Sequence, residues 1–215
     1  MNKSPLRQKP DRQHPPGRKE GFFRIFKFLT RFLLWPFFRL EAHGIHNLPA
    51  DSAFILLVKH QRWEDIPLLG LATPRPLYYI AKYELFRNAL GNRFFSALGG
   101  IPLNRQRPLE SRRFLQASIA FLRKGEGIVI FPEGTYYRDK MGPGQIGMVK
   151  FVLSRLALPV IPVGISYTAG SRRTGVRINF GKVHHAGPAL AAEAVVGRMM
   201  GEIAKLSGMR PTSVK

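Results

Sequence analysis

The chain has 215 residues, no cysteine, and 34 Lys and Arg against 13 Asp and Glu, a formal charge of +21. That length supports one substantial domain without covalent staples, and the lack of cysteine excludes thiolate catalysis and a disulfide scaffold. The positive balance points to anionic partners: nucleic acid, anionic lipid, or a phosphorylated or acidic substrate.

Met1–Lys19 is a basic tail holding Lys3, Arg7, Lys9, Arg12, Arg18 and Lys19 among four prolines, Pro5, Pro10, Pro15 and Pro16. It has almost nothing apolar to bury, which predicts a flexible segment. It offers no aromatic ring for base stacking, and this weakens a single-strand nucleic-acid reading. Gly21–Leu40 changes character abruptly. Phe22, Phe23, Ile25, Phe26, Phe28, Leu29, Phe32, Leu33, Leu34, Trp35, Phe37 and Phe38 supply a dense apolar surface, and Arg24, Lys27 and Arg31 recur at helical spacing. The pattern predicts a helix lying in a bilayer interface with its cations among headgroups. The uninterrupted apolar run Phe32–Phe38 is far shorter than the roughly 20 residues of a membrane span, and Pro36 should break or bend the helix. The chain thus divides into a basic flexible tail at 1–20, an amphipathic membrane-associated helix at 21–40 and a globular domain at 41–215.

In the body, Glu41–Asp51 reads as a linker or edge strand. Strands are expected at Ala53–Val58, Leu77–Ala81, Gly127–Phe131, Pro159–Ser166 and Thr174–Phe180. Helices are expected at Trp63–Leu69, Tyr83–Leu98 (with Gly91 a possible interruption), Glu110–Lys124, Gln145–Leu156 and Ala189–Leu206. Alternation of the two predicts an α/β sheet with helices against it.

The apolar strand Ala53–Val58 delivers the cluster His60-Gln61-Arg62-Trp63-Glu64-Asp65. A histidine held in one tautomer by a carboxylate is a general base that works near neutral pH. Asp65 can fold back beneath His60 if a helix begins there; Glu64 competes, and spacing does not choose between them. Gly99-Gly100-Ile101-Pro102-Leu103-Asn104-Arg105 pairs a glycine turn with a guanidinium that could clamp phosphate, with Arg107 as the nearby rival. Phe131-Pro132-Glu133-Gly134-Thr135 follows a strand. Glu133 would face a crevice and Gly134 could expose its N–H to a ligand, with Tyr136, Tyr137 and Arg138 along the same opening. Val160-Ile161-Pro162-Val163 reads as core. His184 and His185 lack a third metal ligand, and Gly142, Gly144 and Gly147 do not form a phosphate loop.

Four of these stretches, in this order over about residues 40–181, resemble the glycerophospholipid acyltransferase family, in particular bacterial 1-acyl-glycerol-3-phosphate acyltransferases. The first is His-X4-Asp, His60 to Asp65. The second is Ala81-Lys82-Tyr83-Glu84-Leu85 together with Gly100-Ile101-Pro102-Leu103-Asn104-Arg105. The third is Phe131-Pro132-Glu133-Gly134-Thr135, and the fourth Val160-Ile161-Pro162-Val163.

The resemblance implies a single acyltransferase domain, a mixed sheet flanked by helices, preceded by the membrane-associated helix. It implies His60 as general base and Asp65 as its orienting partner. It implies an acceptor site of Arg105 as phosphate ligand, Glu133, Gly134 and Thr135, with Lys82 adding positive charge. No metal or cofactor is implied. The donor would be acyl-coenzyme A or acidic acyl-carrier protein, the acceptor a lysophospholipid, and the location the cytoplasmic face of an anionic membrane. The implied product is phosphatidic acid. Glycerol 3-phosphate, an amino lipid or another hydroxyl acceptor is the alternative; nucleic-acid binding fits the charge but not the ordered motifs. In one respect the chain departs from the pattern: many members carry Arg directly after Glu-Gly-Thr, whereas here Tyr136 and Tyr137 precede Arg138.

Overall fold

The computed structural model describes residues 17–104 and 108–211, with the backbone alone described for 108–114. Arg105 and Arg107, and the tail through Pro16, lie outside the described residues. In chain order the elements are α1 (Glu20–Leu34), β1 (Phe38–His43), β2 (Phe54–Val58), α2 (Asp65–Ala72), β3 (Leu77–Lys82), α3 (Ala89–Ala97), β4 (Gly100–Leu103), α4 (Pro108–Arg123), β5 (Gly127–Ile130), α5 (Gly147–Leu153), β6 (Leu158–Thr168), β7 (Thr174–Phe180), β8 (His184–Ala186) and α6 (Ala192–Ser207).

The sheet runs β1-β7-β6-β2-β5-β3-β4, with β8 paired to β6. Its pairings are parallel except for β6 with β7 and β6 with β8. The mixed α/β sheet expected from the alternation is therefore present. All five residues of β2 are buried, as a continuous apolar run in a central parallel strand requires. Side chains alternate across it. Ile55 and Leu57 join the core that α4, α5 and α6 cover, while Phe54, Leu56 and Val58 join a second core that includes Leu68 and Leu69 of α2 and Leu34 of α1. Gly164 lets α6 approach β6: a Cβ there would lie 2.4 Å from the main-chain carbon of Leu206.

Several elements differ from the expectations. The helix expected over Tyr83–Leu98 is split into a 3-10 turn at Tyr83–Phe86 and α3. The break is at Asn88, whose side chain accepts the Gly91 N–H at 2.6 Å and starts a new helix. Gly91 does not interrupt anything; its bare Cα lets the Leu85 carbonyl approach, since a Cβ would sit 2.4 Å from that oxygen. The glycine turn at Gly99-Gly100 leads directly into β4, which pairs with β3. The boundary expected after residue 40 falls inside β1, because the helix ends at Leu34, just before Pro36, and the chain re-enters the sheet at Phe38.

Helix α1 packs Phe23, Thr30 and Leu34 inward. On its other side Ile25, Phe28, Leu29, Phe32 and Leu33 keep 58–69% of their surface exposed. Lys27, expected among headgroups, instead donates to the Thr73 carbonyl at 2.7 Å, capping the end of α2, and burial lowers its pKa. Arg24 and Arg31 remain exposed. No helix of the described residues is long and apolar enough to cross a membrane.

Candidate active site

The parallel register of β2 with β5 sets Leu57 opposite Ile130, so both strands release their chains at the same edge of the sheet. Past that edge β2 delivers Lys59-His60 and β5 delivers Phe131-Pro132-Glu133. The carboxyl ends of parallel strands are where α/β sheets form crevices. A cavity of about 860 Å³ opens there, with His60 on its wall and Ile66, Ile80, Leu85, Ile130 and Met148 among its apolar lining.

His60 is 8% exposed and Asp65 is fully buried. The His60 Nδ1–Asp65 Oδ2 distance is 3.0 Å. Oδ2 also accepts the N–H groups of Gln61 at 2.6 Å and Arg62 at 2.8 Å, and Oδ1 accepts the Tyr167 hydroxyl at 2.6 Å. An ionised carboxylate only accepts, so the 3.0 Å contact assigns the imidazole proton to Nδ1 and leaves Nε2 as a lone-pair acceptor. The choice that spacing left open falls to Asp65 because it is the first residue of α2, where its side chain can turn back toward the strand end. The positive end of a helix also favours a carboxylate there. The imidazole stacks on Phe131 at 3.9 Å and meets the edge of Tyr136 at 4.4 Å.

The Tyr167 phenol is held above its ordinary pKa by burial and then by the Asp65 charge. Tyr136 is raised for the same two reasons, burial first. The Arg62 guanidinium lies 4.3 Å from the Tyr167 ring centre and closes that side. Gln61 is buried and joins two segments: its amide donates to the Ile165 carbonyl at 2.7 Å, and its oxygen accepts the Asp139 N–H at 2.9 Å.

The expected site residues divide by position. His60, Lys82, Gly134 and Thr135 line one cavity, with Lys82 at the exposed end of β3 and Thr135 exposed at the mouth. Gly134 has φ +72°, and its N–H, expected to face a ligand, donates to the Phe131 carbonyl at 3.0 Å and closes the turn. Glu133 is 3% exposed and is not part of the lining; its carboxylate faces Lys59, at 2.9 and 2.7 Å. Tyr136 lines the cavity. Tyr137 turns away and packs on Gly142, where a Cβ would come within 2.2 Å of its ring.

Two functional candidates had escaped sequence reasoning. Lys59 succeeds five buried apolar residues and immediately precedes His60, a position where an ammonium has to find a partner inside the protein; that local signal was available. Tyr167 lies 102 residues from Asp65 in sequence, and nothing local marks it.

The chain is similar to known proteins in sequence and in fold. Residues 39–166 match the family model described as Acyltransferase. The chain is 35% identical over 97 residues to the 1-acyl-sn-glycerol-3-phosphate acyltransferase of Bacillus subtilis, covering 45% of this chain and 48% of that protein. It is 27% identical over 175 residues to a chloroplastic 1-acyl-sn-glycerol-3-phosphate acyltransferase of Arabidopsis thaliana, covering 78% of this chain and 48% of that protein. The chain spans about half the length of these curated relatives. The crystal structure of the 1-acyl-sn-glycerophosphate acyltransferase PlsC from Thermotoga maritima superposes with a TM-score of 0.61 over 90% of both chains at 23% identity, a likeness of fold.

Proposed function

This chain belongs to the acyltransferase family, and we propose that it transfers a fatty acyl group from an acyl thioester to the free hydroxyl of 1-acyl-glycerol 3-phosphate, forming phosphatidic acid. The observation that carries this reading is the His60–Asp65 pair, buried, hydrogen-bonded at 3.0 Å and set on the wall of a largely apolar cavity. The acceptor class is the one in the names of its relatives, and the thioester donor follows from the resemblance of the motifs.

In the proposed reaction, His60 Nε2 takes the proton of the acceptor hydroxyl as its oxygen attacks the thioester carbonyl. Asp65 stabilises the imidazolium that forms. The tetrahedral intermediate collapses with cleavage of the carbon–sulfur bond, and the imidazolium returns the proton to the departing thiolate. The base is regenerated, and no group is left on the protein. Lys82 at the rim supplies positive charge for the acceptor phosphate, and Thr135 offers a hydroxyl at the mouth. Arg105 is assigned to the phosphate on its motif alone.

The donor is acyl-coenzyme A or acyl-carrier protein; the acidity of the latter suits a chain of charge +21. The body rests on a membrane face through the exposed apolar side of α1, with Arg24 and Arg31 at headgroup level. Such an arrangement lets a lysolipid reach His60 without fully entering water.

Tyr136 motivates a second acceptor reading. It stands where many family members carry Arg, and its ring lies against His60. A wall of that kind suits a hydroxyl acceptor with less phosphate dependence, such as an amino lipid. The test is product analysis with purified full-length protein, each donor, and lysophosphatidic acid, glycerol 3-phosphate or a lyso-amino lipid as acceptor. Phosphatidic acid from lysophosphatidic acid is the expected major product. Preferential acylation of the amino lipid would establish the second reading, and no acylation of any acceptor would overturn both.

A further inference from the structure

We infer that the buried Lys59–Glu133 ion pair is the positioning element of the His60 site, holding the main chain of the base and the segment 133–142 in one register. The inference rests on the reading of His60 as the base, and it gives Glu133 a role other than contact with the acceptor.

The side chains of Lys59 and Glu133 are both completely shielded from solvent. The ammonium donates to the two carboxylate oxygens at 2.9 and 2.7 Å, to the Tyr137 carbonyl at 2.8 Å and to the His60 carbonyl at 3.2 Å. The carboxylate accepts the His60 N–H at 2.9 Å and the Gly142 N–H at 2.6 Å. The His60 carbonyl also receives the Tyr137 N–H at 2.9 Å. Both main-chain polar groups of His60 are therefore bound to this pair, which also binds the chain at Tyr137 and Gly142.

Stability alone explains little here. Burial depresses the Lys59 pKa, and the Glu133 hydrogen bond and charge only oppose that shift. Removing two charges from water costs so much that an apolar pair of similar volume is often as stable or more so. What an apolar pair cannot do is hold four main-chain groups. The segment so held includes Thr135 and Tyr136, so the same pair aligns the cavity wall with the imidazole. Neither Lys59 nor Glu133 belongs to the lining, which leaves the pair to act through His60 and the wall.

The test uses the full chain with Lys59→Met, Glu133→Gln, Glu133→Leu and the double variant K59M/E133L. Two measurements are needed: saturation kinetics with lysophosphatidic acid and an acyl thioester, and 15N NMR of the His60 ring. A displacement of about 1 Å can lower a rate by ~100-fold, so kcat of Lys59→Met and of the double variant is expected to fall by about 10- to 100-fold. The acceptor KM should stay within about twofold, because positioning acts on the chemical step rather than on acceptor binding. Glu133→Gln keeps a carbonyl acceptor for one N–H and should recover part of the kcat lost in Glu133→Leu. The His60 Nδ1–H resonance and the pH profile of kcat/KM should shift in Lys59→Met.

Should the single variants fail to fold, the double variant, with no unpaired charge, decides. Wild-type kcat in the folded double variant would overturn the inference. A raised acceptor KM with unchanged kcat in Glu133→Gln would make Glu133 an acceptor ligand instead. If wild-type protein transfers no acyl group, the proposed function fails, and the NMR comparison still judges the positioning: unchanged His60 signals in the folded double variant would defeat it.

Discussion

Tyr167 donates its hydroxyl to Asp65 Oδ1 at 2.6 Å, on the oxygen that His60 does not use. The carboxylate is thus held from both sides, by β6 through the phenol and by the strand-end turn through Gln61 and Arg62. Hydrogen bonds to a charged group contribute about 1.5–3 kcal/mol, so Tyr167→Phe is expected to lower both stability and turnover. Denaturant titration and single-turnover transfer measure the two effects. An unchanged rate in the folded variant would show that Asp65 needs no second support.

The same phenol makes a pH prediction. Burial and then Asp65 raise its pKa, so folded Tyr167 stays protonated where the unfolded residue ionises, near pH 10. Its contribution to stability is complete below about pH 10 and is lost as pH rises further. Wild-type stability should therefore decline more steeply above about pH 10 than that of Tyr167→Phe. Equal slopes in urea titrations at several alkaline pH values would contradict the shift.

His60→Ala should retain the fold and acceptor binding while losing the proton acceptor. General acid–base assistance contributes about 10²–10⁴-fold, and a loss of that size is expected in single-turnover transfer. Asp65→Asn should also slow transfer, because a neutral amide does not stabilise the imidazolium. A near-wild-type rate for His60→Ala would remove His60 from the mechanism.

Arg105→Ala should impair use of lysophosphatidic acid more than use of a matched acceptor without phosphate. Arg105→Lys should restore charge but not the two-pronged geometry of a guanidinium. Steady-state kinetics with both acceptors separates these effects. Equal losses on the two would assign Arg105 to structure or to the donor.

Replacing Phe28, Leu29, Phe32 and Leu33 of α1 with serine should cut flotation with anionic liposomes while leaving the thermal transition nearly unchanged, since all four are exposed. High salt should weaken wild-type attachment only in part, because screening acts on the cations and not on the apolar face. Undiminished flotation of the four-serine variant would place the membrane contact elsewhere.

The architecture was largely legible in the sequence. Runs such as Phe54–Val58 and Gly127–Ile130 are apolar because both faces of those strands are covered, and that apolarity alone marked their positions. Strand β8, three residues long, and β4, behind its glycines, carry too little pattern to be seen alone. Within the site, the motif placed His60 and narrowed its partner to two carboxylates. The resemblance named Asp65; the physical reason it is Asp65 and not Glu64 lies in where α2 begins. Glu133 read as a crevice residue because its strand ends at the crevice; its direction is set by Lys59, 74 residues earlier, and no local pattern reports such a pairing.

Helix α2 has a neighbour of consequence at each end. At its start stands Asp65, bound to His60; at its finish the Thr73 carbonyl receives the Lys27 ammonium from α1. Its eight residues rise about 12 Å. The helix is a spacer of set length, and it gauges the distance from the exposed apolar face of α1 to the imidazole. One short helix thus separates the contact with α1 from the carboxylate that holds the base.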